Sequence, residues 1–315
     1  MLAQRPSAPV KPERLAYIDA HQHCWSLARG DYRWLQADIP ELAPICRDIE
    51  PTELQPLLAA HGVVQTVLVQ AADSEAETDF LLGLAHRHAF FGGVVGWVDL
   101  SRAESVATLE RWAGDTAFKG VRPMLQDLPD PNWIAQAPRR DVVLALQRLG
   151  LRFDALVKPW HLPALLQFAR AWPDLPIVID HAAKPQLAAG WSAPWAAQWH
   201  TGMAALGRCP NVMCKVSGLL TELPAPARRG GAEAVAALQP VWATLLDCFG
   251  PTRLVWGSDW PVLNLAADYA QWVTVSQTLM SNLAEAEQRA VCHDNAARFY
   301  QLSPAAVRRS AVATV

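Results

Sequence analysis

The chain has 315 residues, 51% of them hydrophobic and 18% charged, with a formal net charge of −3. That apolar content excludes a disordered chain, and the slight acidity argues against a nucleic-acid binder, which carries a basic excess. No apolar run reaches the roughly 18 residues that span a bilayer, and the start, MLAQRPSAPVKPERLAYIDA, lacks the apolar core of a secretory signal, so a soluble cytoplasmic protein without membrane contact is expected.

Residues 1–14, rich in Pro and Ala and without periodicity, read as a loose extension, and one domain is expected over residues 15–315. Short apolar or β-branched runs then alternate with segments of helical period. Strands are predicted at Leu15–Asp19, Gln65–Gln70, Gly93–Val98, Phe118–Arg122, Arg152–Val157, Ile177–Asp180, Val212–Val216 and Leu254–Trp256. Between them helices are predicted at Pro51–His61, Glu75–His88, Ser105–Ala113, Asp141–Leu149, Leu162–Ala171, Trp195–Arg208 and Leu238–Cys248, followed by Asp268–Met280 and Ala284–Tyr300. Strict alternation over eight units predicts an α/β fold, a single (β/α)8 TIM barrel, and no GxGxxG loop follows the first strand to favour an open doubly wound sheet. Two stretches break the rhythm: Cys24–Glu50, long enough to wall the barrel mouth, and Thr221–Ala236, whose Pro, Gly and paired Arg suggest a mobile loop. The six cysteines, Cys24, Cys46, Cys209, Cys214, Cys248 and Cys292, form no CxxC pair and are expected as reduced thiols.

Chemistry in such a barrel sits at the C-terminal strand ends. There the first strand offers His21 and His23, two apart and so on one strand face; the fourth offers Arg122, the fifth Lys158, the sixth His181, the seventh Lys215 and Ser217, and the eighth Asp259. Three histidines and an aspartate converging from three strands form either a metal site or an acid/base cluster. Ser217 lacks the strained elbow of a nucleophilic serine and is not expected to attack substrate. Tryptophan is abundant, 14 residues against 4 Tyr and 8 Phe. Trp25, Trp34, Trp97, Trp160 and Trp260 fall near strand ends, where an indole face could stack on a sugar, whereas Trp112, Trp172, Trp242 and Trp272 on helices are expected in the core.

The segments YIDAHQHCW, RGDYRWL, KGVRPMLQDLPDPNWI, VIDHAAKP, CKVSGLLTE, RLVWGSDWPV and HDNAARFYQL resemble the markers of the amidohydrolase superfamily, and within it the sugar-lactonase group that opens lactones such as fuconolactone and rhamnonolactone. The resemblance runs from about Tyr17 to Leu302. It implies a barrel hydrolase in which His21, His23, His181 and Asp259 occupy metal or active-site positions and Arg122 binds substrate. It leaves open one divalent ion, zinc first, or metal-free catalysis. A two-metal centre is disfavoured, because Lys119 falls on the strand face opposite Arg122 and the fifth strand ends in Lys158 rather than histidine.

On that basis Asp259 is expected as general base for water attack on an aldonolactone carbonyl, with His181, Arg122 or the ion stabilising the oxyanion. Arg122, Trp25, Trp34, Lys158, Lys184 and Trp260 are the expected substrate contacts. The expected partner is a small sugar lactone, with no nucleic acid, and the apolar helical layer would permit a homodimer. A metal-dependent decarboxylase of the same superfamily would use the same histidine and aspartate set. A ligand-binding barrel without catalysis would be missing some of it.

Overall fold

A computed structural model describes residues 15–304; the extension expected at residues 1–14 lies outside them. The β-branched and apolar runs form eight parallel strands: β1 (Tyr17–Gln22), β2 (Val63–Val69), β3 (Phe91–Gly96), β4 (Phe118–Val121), β5 (Arg152–Ala155), β6 (Ile177–Ile179), β7 (Val212–Val216) and β8 (Leu254–Trp256). Each pairs with its successor. β1 and β8 are joined at their ends by a parallel Gln22–Trp260 bridge, in which His23 N–H donates to Trp260 O and Asp259 N–H to His21 O, both at 2.8 Å. The ring therefore closes through the residues that carry the expected chemistry. This is a (β/α)8 barrel.

Alternation along the strands sends Ile18, Ala20, Val67, Val69, Val95, Val178, Met213 and Val255 into the lumen. Phe299 and Tyr300 plug it at the N-terminal strand ends, where Arg152 at the start of β5 donates to Phe299 O. The opposite faces pack on helices Pro51–His61, Glu75–Arg87, Ser105–Ala113, Arg140–Arg148, Leu162–Ala171, Pro194–Gly207, Gly231–Phe249 and Tyr269–Met280. Trp112, Trp242 and Trp272 are buried in this layer and Trp172 is half-buried.

Two expectations are corrected. The loop read after the seventh strand is shorter than expected: Gly230 and Gly231 take the positive φ values that end it, and the helix starts at Gly231, burying Ala234, Leu238, Val241, Trp242 and Leu245. The closing helix expected over Ala284–Tyr300 is interrupted by a π turn at Ala290–Asp294 between Glu285–Arg289 and Asn295–Phe299. The turn buries Val291 and Cys292, and Asn295 beyond it donates to Pro251 O and Leu254 O. No helix among the described residues is long and apolar enough to cross a membrane.

Candidate active site

Strict alternation from Ile18 and Ala20 would turn Gln22, not His21, into the lumen. The pairing of β1 with β2 slips between Asp19 and Gln22, so that one extra residue is accommodated and His21 and His23 are re-aimed inward. Gln22 instead donates to Thr66 Oγ1, and Asp19 faces the helices, accepting from Ser258 Oγ (2.6 Å), Ser258 N (2.8 Å) and Tyr269 OH (2.9 Å). Asp19 thereby anchors the turn that presents Asp259.

His181 and Asp259, just past β6 and β8, both have left-handed backbones, with φ of 52° and 61°. Such geometry is uncommon for side chains of this size and collects at functional sites. Gly218 makes it fit: a Cβ there would lie 2.6 Å from His181 Nδ1 and 2.9 Å from Asp259 Oδ2. Asp259 Oδ1 stands 3.3 Å from His23 Nε2, 3.7 Å from His21 Nε2 and 3.7 Å from His181 Nε2. Ser217 Oγ is 3.0 Å from His181 Nδ1 but is fully buried and outside the cavity, so it orients the imidazole rather than attacking substrate.

Beneath this layer lies a buried charged network. Lys215 on β7 bonds Asp154 of β5 (2.5 Å), Asp180 after β6 (2.9 Å) and His21 Nδ1 (3.0 Å), while Tyr300 OH donates to Asp154 at 2.8 Å. Arg122 approaches Asp180 (3.6 Å) and His21 Nε2 (3.3 Å), and its other nitrogen donates to Gln70 O. Asp154 and Asp180 went unrecognised in the sequence; their signal was an acid at an inward position of an otherwise apolar strand, as in RFDA and IVID.

Burial would push the Asp259 carboxyl up, but His181, His23 and Lys184 outweigh it and hold it below its ordinary value. Burial, with Lys215, His23, Arg122 and Lys184, holds His21 well below the usual imidazole range. His181 is likewise held well down by burial against the pull of Asp259, and His23 is lowered because burial outweighs the pull of the Asp259 charge. At neutral pH the site thus holds three uncharged imidazoles facing a carboxylate.

The cavity over these groups encloses about 160 Å³ and is lined by His23, Trp34, Ala71, Arg122, Met124, Gln126, Asp127, Leu156, His181, Lys184, Asp259 and Val262. The structure thus brings Arg122, Trp34, Lys184, His181 and Asp259 together. Trp25, Trp260 and Lys158 lie outside the lining: Trp25 is buried and donates to Arg47 O, Trp260 is buried, and Lys158 sits over the exposed Trp160 ring beyond the end of β5. Gln126 and Asp127, in the LQD turn, were not singled out from sequence. Lys119 turns away to Gln301 O.

The donor atoms suit a divalent ion. Those of His21, His23 and Asp259 lie within 4.8 Å of one another, as do those of His21, Asp180 and His181. His23 Nδ1 donates to Val69 O at 2.8 Å, which fixes its tautomer and leaves the Nε2 lone pair facing the carboxylate. Their 3.3 Å separation matches the roughly 3.3 Å between ligands of a tetrahedral zinc with bonds near 2.0–2.1 Å.

A parallel barrel whose strand ends gather three imidazoles, an aspartate and an arginine around a small cavity defines a barrel enzyme with an acid/base or metal-assisted site. The chain belongs to the amidohydrolase family, whose profile matches residues 18–302. It is 43% identical over 289 residues to an L-fucono-1,5-lactonase of Burkholderia ambifaria, covering 90% of this chain and 95% of that one. A second L-fucono-1,5-lactonase, from Burkholderia multivorans, is 38% identical with coverage of 90% and 96%. Among solved structures, an amidohydrolase from Burkholderia multivorans with bound zinc superposes with a TM-score of 0.83 at 35% identity, covering 91% of this chain and all of that one.

Proposed function

We propose that this protein is a sugar lactonase that opens L-fucono-1,5-lactone and related aldonolactones by hydrolysis. The reading is carried by the convergence of Asp259, His181, Arg122 and Lys184 on one small cavity, in a chain 43% identical to an L-fucono-1,5-lactonase over nine-tenths of its length.

A lactone is an activated ester, so the site need supply a base, a carbonyl polariser and orientation. The Asp259 carboxylate, ionised and at the floor of the cavity, takes a proton from water as its oxygen attacks the ring carbonyl. The developing oxyanion is met by the Arg122 guanidinium and by an N–H of neutral His181. Asp259 then returns the proton to the ring oxygen as the C–O bond breaks, giving the aldonic acid, whose carboxylate Lys184 attracts. Trp34, held by its N–H on Ala71 O at 2.8 Å, offers an indole face to the sugar ring. His21, His23 and Asp259, with His181 beside them, would hold one divalent ion, zinc first, which when bound lowers the pKa of water and polarises the carbonyl.

Proton release from L-fucono-1,5-lactone and a panel of aldono-1,4- and 1,5-lactones tests the activity; turnover is expected on the 1,5-lactones, and rates equal to the buffer blank on every member would overturn it. Release of CO2 from small aromatic acids would point to the decarboxylase alternative. Metal content is a separate readout: one zinc per chain is expected after dialysis against the metal, and its loss is expected in His23→Ala.

A further inference from the structure

Beside the catalytic cavity, and sharing Met124 with it, lies a second and larger cleft of about 380 Å³. The catalytic cavity, at about 160 Å³, is small beside the roughly 300–1,000 Å³ of sites for drug-sized ligands and has room for one ring. The second cleft is walled by Trp97 and Trp133, both half-buried, with Leu100 and Leu128 as further apolar surface. Neither indole N–H has a partner among the described residues, in contrast to that of Trp34. Asp99 uses Oδ1 to accept from Ser101 N (2.9 Å) and Oγ (2.6 Å), which leaves Oδ2 to a ligand. On the rim Arg33 grips Asp73 through two bonds of 2.6 Å.

Flat apolar faces with unspent N–H donors, a carboxylate oxygen and a rim ion pair suit a neutral polyhydroxylated ring, which has a C–H face to stack and hydroxyls to bond. Two carboxylates against one guanidinium disfavour an anion. We propose that this cleft is a second sugar subsite, and that the enzyme accepts aldonolactones carrying a further hexosyl ring on one of their hydroxyls. The proposal rests on the lactonase reading above. The reaction is unchanged: water opens the lactone ester and the glycosidic bond stays intact.

The test compares a bare aldono-1,5-lactone with lactones bearing one hexosyl group at O2, O3 or O4, prepared by oxidising the reducing disaccharides. At least one linked lactone is expected to show a KM about tenfold below that of the bare lactone. Trp97→Ala and Trp133→Ala should raise that KM about tenfold and leave the KM and kcat for the bare lactone unchanged, which also serves as the folding control. Asp99→Asn, which keeps Oδ1 for Ser101, should give the same split if either tryptophan variant fails to fold. Linked lactones handled no better than the bare one, or variants that impair both alike, would overturn the subsite. If the bare lactone is not opened at all, the lactonase reading fails instead. The subsite is then decided by calorimetric binding of the linked aldonic acid, which should be detectable in the wild type and lost in Trp97→Ala; an absence of binding overturns it.

Discussion

Asp259 is the residue on which the proposed chemistry turns, and its surroundings make the consequences of replacing it specific. Asp259→Asn preserves shape but removes the base, so kcat should fall by about 10²-fold or more with an unchanged fold, as measured by initial rates and circular dichroism. Gly218 allows a sharper comparison. Gly218→Ala would put a methyl group against both His181 and Asp259, and a displacement of even about 1 Å costs on the order of 10²-fold in rate. Gly190, with φ of 79°, ψ of 157° and nothing within 4 Å of an added Cβ, is the control: Gly190→Ala forces a side chain into a backbone region kept almost wholly for glycine, at a cost of about 1–3 kcal/mol, and should leave kcat intact. Equal rate losses in the two variants would mean that backbone strain, not crowding of the site, is responsible. At this scale the site was legible wherever a polar residue ended an apolar strand. His21, His23, Arg122, His181 and Asp259 stand out that way, whereas Lys158 does not reach the cavity because β5 stops at Ala155 and the inward acid of that strand is Asp154.

The elements were read well where Pro or Gly marks an edge of the helical pattern, as in Pro51–His61, Ser105–Ala113 and Leu162–Ala171, whose bounds match the prediction. The first strand shifted because a bulge has no signature in the pattern of apolar residues, and the seventh helix was shortened because Pro and Gly before Leu238 resemble a loop. The wall formed by the long first loop rests on one element junction that the sequence did not reveal. Glu77, fully buried at the start of helix Glu75–Arg87, accepts from Ala71 N (3.0 Å) and Ala72 N (2.7 Å), and Ala71 O in turn holds Trp34. Burial lifts the Glu77 carboxyl from 4.5 to about 7, against the bonds from Ala72 and Ala71. Between those values the folded chain keeps a proton that the unfolded chain has released, so stability falls as pH rises from 4.5 through about 7 and is level above. The effect of this one group is roughly 3 kcal/mol. Glu77→Gln should flatten that part of the slope, seen as a smaller difference in urea midpoint between pH 5 and pH 8 than the wild type shows.

Across the whole molecule the catalytic end and the plugged end of the barrel are connected by polar groups running through the lumen. Tyr300 at the bottom bonds Asp154, Asp154 bonds Lys215, and Lys215 bonds His21 below the cavity. Tyr300→Phe removes one donor from a buried acid and should cost about 1–3 kcal/mol. Tyr300→Ala also empties the plug, and a loss of about 3–5 kcal/mol is expected, measured by denaturant unfolding. Eight alternating units made the barrel itself predictable, but the lumen was not, because which strand residues meet across the axis depends on stagger between strands rather than on any one segment.

The seam between the first and last strands has a consequence for how the protein comes into being. Asp19 and Ser258, which meet there, are separated by 239 positions in the chain, so this contact is among the costliest to close. A chain emerging from the ribosome presents His21 and His23 long before Asp259, which follows them by more than 200 residues. Incomplete or half-folded chains carry the imidazoles without the carboxylate that faces them, so the proposed hydrolysis requires the ring to have shut.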